Sequence, residues 1–193
     1  MAKTQSTLKN MLLCLFIVSF VSAGSLGYVY EKTKEPIAKA ALSKKTSALK
    51  NVLPQFDNDP LNEKYSANTP DGEITFYPAK KDGRLVGTAI ETFTNKGYSG
   101  NIRLIVGLLP DGRINNIEVV EHKETPGLGD KIEPAKSKFS DQFNGKDLSS
   151  LVLKVKKDGG DVDAITAATI SSRAFCDAIQ RAFDAYKEKR GNN

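Results

Sequence analysis

The chain has 193 residues, 39% hydrophobic and 26% charged, which excludes wholesale disorder and suits one domain with a sizeable core plus one further element. Its net charge of +5 is mostly lysine interleaved with acids; without an arginine-rich helix or a basic–aromatic alternation it argues against a nucleic-acid partner. Cys14 and Cys176 fall in segments not expected to meet and His122 is the single histidine, so neither a disulfide nor a metal centre is expected.

Residues 1–10 form a short tail carrying Lys3 and Lys9. Met11 to Tyr30, "MLLCLFIVSFVSAGSLGYVY", contains no charge. Twenty helical residues reach ~30 Å, the thickness of a bilayer's hydrocarbon core, so a transmembrane helix is expected over 11–31. Tyr28 and Tyr30 stand where interfacial aromatics belong. Val21-Ser22-Ala23 also resembles a signal-peptide cleavage site behind the apolar stretch Met11 to Phe20. The apolar run continues past that point, which favours an uncleaved anchor. Lys32, Lys34, Lys39, Lys44 and Lys45 outnumber the lysines before the segment, and a positive-inside count would keep the rest in the cytoplasm. Long downstream domains translocate largely regardless of such charges, so the count does not fix the side.

Pro36 can open a new helix, with Ala38, Ala41, Leu42, Leu49, Val52 and Leu53 at roughly helical spacing before Pro54 stops it. A polar connector from Gln55 to Gly72 completes a juxtamembrane region over 32–72. Strands are expected over Glu73–Lys80 and Leu85–Phe93, joined through the turn Lys81-Asp82-Gly83-Arg84 as a hairpin. Asn101–Leu109, "NIRLIVGLL", is apolar on both faces, as in a strand covered on both sides. Pro110-Asp111-Gly112 turns the chain into a return strand, Arg113–His122. The loop "ETPGLGD", Glu124 to Asp130, follows; by composition alone it is an exposed turn. A short helix is expected from Ile132 to Phe143 and a further strand over Leu151–Lys157.

The last helix is the clearest element. Phe175, Ala178, Ile179, Ala182, Phe183 and Tyr186 form one apolar stripe, opposite Arg173, Asp177, Arg181, Asp184 and Lys187. The pattern predicts one mixed α/β domain over 73–190, behind a membrane tether.

"DAITAATISS", Asp163 to Ser172, opens that helix and crowds Thr166, Thr169, Ser171 and Ser172 into its first turns. One reading is helix capping, in which a hydroxyl accepts a free backbone N–H. Another is phosphate binding at the helix N-terminus, with Ala167 and Ala168 leaving the backbone open and a threonine oxygen available for an ester. A threonine nucleophile fits poorly, because no histidine–carboxylate partnership or terminal amine stands beside Thr169.

Asp163-Ala164-Ile165-Thr166-Ala167-Ala168-Thr169 resembles a flavinylation motif: Asp, two variable residues, Ser or Thr, Gly or Ala, Ala, Thr. With the N-terminal apolar helix and "ETPGLGDKI" upstream, nearly the whole chain resembles the G subunit of the Rnf electron-transport complex. The related C subunit of the sodium-pumping NADH:quinone reductase is similar but usually longer. The family often has glycine where Ala167 stands, a small departure.

The resemblance implies FMN attached through its phosphate to Thr169 by a flavin transferase. It makes Asp163 and Thr166 part of the transferase's recognition motif and sets Ala167 and Ala168 against the phosphate. It assigns Glu124, Thr125, Gly127, Leu128 and Gly129 to the flavin's surroundings, while His122 is expected at the surface. No catalytic residue and no metal ligand is implied. The implied role is an electron-carrying subunit between ferredoxin and NAD, with other subunits coupling the flow to sodium or proton transport. The implied location is the bacterial cytoplasmic membrane, single-pass, with the flavin domain on the extracytoplasmic side. Apart from the quinone reductase subunit, the alternative is a membrane-tethered binding or assembly module in which Thr166–Ser172 only caps the helix.

Overall fold

A computed structural model describes residues 7–70 and 72–191. The chain divides into two compact units, the second beginning at Lys45. One long helix, α1, runs Leu8–Val52. It is the one described helix long and apolar enough to cross a membrane, and none of its most apolar window is buried in protein. Leu13, Phe16 and Phe20 are all exposed, the two phenylalanines stacking on each other with ring centroids 6.2 Å apart.

The expected break at Pro36 is absent: the tether helix and the juxtamembrane helix are one, and the proline lies inside it. A mid-helix proline forfeits one backbone bond. Strong helix formers on both sides, among them Lys34, Glu35, Ala38, Ala40 and Ala41, carry the helix through that loss.

The second unit holds a five-stranded antiparallel meander in the order β1-β2-β3-β4-β5. Its strands are β1 Tyr65–Thr69, β2 Gly72–Lys81, β3 Arg84–Gly97, β4 Gly100–Leu108 and β5 Ile114–Glu121. The last helix, α2, spans Thr169–Gly191. The β2–β3 hairpin turns on Asp82 (φ 50°) and Gly83 (φ 75°), the two left-handed residues of a tight primed turn. β1 falls within the expected connector. Its sequence, YSANT, has no apolar alternation, and it is a strand only because β2 offers an edge.

One sheet face packs on α2. Ile102, Leu104 and Val106 of β4 share that core with Phe139, Phe143, Phe175 and Ile179. The opposite face is covered by the end of α1 and the residue after it: Ala48, Leu49, Val52 and Leu53 bury Tyr77, Ala89 and Ile105. The two apolar faces of β4 therefore each have a partner, as its sequence implies.

Two expected elements are not formed. Ile132 to Phe143 is two separate 3-10 turns, Gly129–Ile132 and Ser140–Phe143. Pro134 interrupts the run, and the Ser137 hydroxyl donates to the Lys131 carbonyl (2.6 Å). Leu151–Lys157 is a loop making one isolated bridge, Val155 to Val162. The chain folds back on itself at Gly159 and Gly160, so those backbone groups pair locally and never reach the sheet. Leu153 and Val155 are buried all the same, which explains the strand-like sequence.

Candidate functional site

The turn leading into α2 is built by Ser172. Its Oγ accepts the Ile165 N–H (2.9 Å) and donates to the Ala168 carbonyl (3.0 Å). The Ala168 N–H closes onto the Ile165 carbonyl at 3.0 Å. This tight turn forces Ala167 to φ 63°, the left-handed region that disfavours a Cβ. The first helical bond runs from the Ser172 N–H to the Ala168 carbonyl (3.0 Å), leaving the amides of Thr169, Ile170 and Ser171 without a helical partner. No acidic residue lies in this first turn to occupy them. Ser172 thus braces the turn and caps none of the free helix amides. Among the described residues the hydroxyls of Thr166 and Thr169 have no hydrogen-bond partner.

The loop Glu124 to Asp130 reaches the same helix end through Glu124. Its side chain is buried and accepts at both oxygens: Oε1 from the Ser99 N–H (3.0 Å), Oε2 from the Ser171 hydroxyl (2.5 Å). Gly129 lies directly against this pair, where a Cβ would come within 2.6 Å of both Glu124 Oε2 and Ser171 Oγ. Behind it, His122 Nδ1 accepts the Glu124 N–H (3.0 Å) while Nε2 meets Glu133 Oε1 (2.5 Å). His122 is therefore pinned at both nitrogens, with Nε2 carrying the proton toward the carboxylate, and its side chain, 10% exposed, is largely buried where a surface residue was expected. Burial works to raise the Glu133 carboxyl, but its bonds with His122 and Lys136 hold it below the ordinary value.

Between the loop and the helix lies a cleft of about 470 Å³, lined by Tyr98, Glu124, Thr125, Leu128, Gly129, Ala167, Ala168, Thr169, Ile170 and Ser171. That size suits a small-molecule ligand. The polar end offers the helix's free amides and the Thr169 hydroxyl; the rim offers the exposed apolar side chains of Tyr98, Leu128 and Ile170. A molecule with an anionic end and a flat apolar body fits this division. The residues present therefore fit an FMN.

Seven of the ten sequence-nominated residues line the cleft: Glu124, Thr125, Leu128, Gly129, Ala167, Ala168 and Thr169. Gly127 lies outside the lining, at φ 78° on the loop's turn. Thr166 is exposed just outside. Asp163 is further away and exposed; its carboxylate pairs with Lys156 (2.8 Å) and its backbone is held by the Gln142 side chain at 2.8 and 3.2 Å. Sequence reasoning missed Tyr98, Ile170 and Ser171. Tyr98 sits in the β3–β4 turn, and nothing local ties it to a site distant in sequence.

The FMN-binding domain family matches residues 97–184. The G subunit of the ion-translocating oxidoreductase complex from Pseudomonas aeruginosa is 37% identical, covering 97% of this chain and 94% of that protein. Its namesake from Photorhabdus laumondii is 38% identical over 91% of this chain and 88% of its own length. Among solved structures, Shewanella oneidensis NqrC matches with a TM-score of 0.45 and 24% identity, covering 61% of each chain.

Proposed function

Because the chain belongs to the family of G subunits of ion-translocating oxidoreductase complexes, we propose that it passes electrons through an FMN esterified by its phosphate to Thr169. The observation that carries this reading is the Thr169 hydroxyl. It is unpartnered, opens a 23-residue helix, and stands in a cleft within the stretch that matches the FMN-binding domain. An oxygen placed there can take a phosphate that the free amides of Thr169, Ile170 and Ser171 then hold, helped by the helix dipole. Ala167 and Ala168 keep bulk away from that phosphate, and Tyr98, Leu128 and Ile170 give the ring system apolar surface. When bound, the flavin supplies the electron-transfer chemistry.

Attachment requires a flavin transferase that brings an activated FMN donor to the site. The Thr169 oxygen gives up its proton and gains the bond to phosphorus, and the rest of the donor leaves. Exposed Asp163 and Thr166 are the residues such an enzyme would grip from solvent. The helix α1 anchors the subunit as a single-pass protein in the bacterial cytoplasmic membrane, with the flavin domain on the extracytoplasmic side. A covalent bond suits that side, where a dissociated FMN is not replaced. In this reading ferredoxin, NAD and the sodium or proton path belong to the other subunits of the complex.

The test is co-expression with a flavin transferase, followed by intact-mass measurement and ultraviolet fluorescence of the denatured chain. The wild type is expected to carry one FMN, Thr169→Ala none, and Asp163→Ala a reduced fraction, all with the same far-ultraviolet dichroism. Flavin retained by a folded Thr169→Ala variant would refute the assignment.

A further inference from the structure

The Glu124 carboxylate is the one nominated cleft side chain whose polar atoms are all engaged inside the protein. It is buried, yet it faces the cleft, and it is held from two sides by elements far apart in sequence: the β3–β4 turn through the Ser99 amide and α2 through the Ser171 hydroxyl. Its two partners, a backbone N–H and a hydroxyl, are both neutral groups able to donate to a carboxylate. No lysine or arginine bonds to it among the described residues, so its charge is met by neutral donors alone. The chain also keeps two glycines against it: a Cβ on Gly97 would come within 2.7 Å of Oε1, and one on Gly129 within 2.6 Å of Oε2. A buried anion held this firmly, without a cation, acts on whatever occupies the cleft, because a charge in a low-dielectric wall is little screened.

We propose that Glu124, held in place by Ser171 and the Ser99 amide, is a fixed negative charge that lowers the reduction potential of the flavin carried on Thr169. The proposal rests on the flavin assignment above. Reduction adds electrons to the ring system, and a nearby anion opposes the gain of negative charge. Ser171 is a positioning residue in this scheme: it acts through Glu124 by fixing the carboxylate and partly neutralising it.

The experiment measures the midpoint potential of full-length, flavin-loaded protein in detergent for wild type, Glu124→Gln and Ser171→Ala. Loading is checked first by intact mass; absence of FMN from the wild type would defeat the flavin assignment itself rather than this proposal. Glu124→Gln keeps the shape and removes the charge. It is expected to raise the midpoint by about tenfold in the reduction equilibrium, about 30 mV for a two-electron couple. Ser171→Ala keeps the charge and removes a donor that partly neutralises it, so its midpoint is expected to fall. Opposite shifts support a charge effect. An unchanged midpoint in loaded Glu124→Gln, or a shift of both variants in the same direction, overturns it, the second because loosening of the loop would then account for both. If Glu124→Gln does not load, the Ser171→Ala midpoint decides alone: a fall supports the proposal, and no change or a rise overturns it.

Discussion

Ala167 holds the turn before α2 at φ 63°, a conformation in which its methyl group is strained. The flavinylation motif that Asp163 to Thr169 resembles admits glycine or alanine at this place, and the backbone supplies the physical reason for glycine. Ala167→Gly is expected to stabilise the full-length chain by about 0.5–1 kcal/mol, the strain relieved less the extra freedom of the unfolded glycine. Equilibrium denaturation in detergent checks this; a loss of stability would show that the methyl group packs rather than strains. The threonines around it were legible as a cluster but not in their roles. Four hydroxyls within seven residues are equally good capping candidates by spacing. Only the folded chain shows Ser172 bracing the turn and Ser171 turning inward to Glu124, which leaves Thr169 unpartnered.

At the scale of elements, the end of α1 is fixed to the sheet by polar groups that the sequence scatters widely. Glu91 on β3 is buried and takes bonds from the Tyr77 hydroxyl (2.7 Å), Lys45 (2.9 Å) and Arg103 (3.0 Å). The carbonyl of Val52 accepts from the Asn115 side chain (2.9 Å) and that of Asn51 from Asn116 (3.2 Å), so β5 caps the helix. Burial alone would raise the Glu91 carboxyl, but Tyr77, Lys45 and Arg103 together hold it below its ordinary value of 4.5. A depressed carboxyl stabilises the fold above its unfolded pKa and loses that contribution as pH falls through the lower folded value. Glu91→Gln is therefore expected to cost about 2 kcal/mol near neutrality, a figure tempered by the partial exposure of both cations. The deficit should shrink as the pH drops below 4.5. Urea denaturation across pH measures it, and a deficit independent of pH would assign the role to shape rather than charge.

Elements whose sequences carry a period were legible: β2 to β5 by alternation and turns, α2 by its apolar stripe. Those that failed lacked an intrinsic signal or borrowed one. β1 is polar and exists through its pairing with β2. The stretch Leu151–Lys157 buries Leu153 and Val155 with a strand's spacing while its backbone closes on its own loop. Pro36 reads as a helix start, but the residues on either side favour helix strongly enough to continue through it.

At the scale of the molecule, the side of the membrane is what lysine counting leaves open. On the proposal that the second unit lies outside the cytoplasm, alkaline phosphatase fused after α2 is expected to be active in cells, and β-galactosidase at the same point inactive. The reverse pattern would put the domain in the cytoplasm and remove the reason offered for a covalent bond.

The sequence by itself determined the long apolar helix, the strand apolar on both faces, the terminal amphipathic helix and the motif ending at Thr169, because each is written as a local period or a short contiguous pattern. The tertiary structure alone decided what surrounds that threonine. Tyr98, Glu124 and Ser171 lie in the β3–β4 turn, a loop after β5 and the last helix, and their meeting depends on the meander that brings the turn and the end of β5 to the same end of the sheet. A contact between residues far apart in the chain leaves no period behind it, so the cleft and the buried Glu124 side chain in its wall emerge only once the sheet is folded.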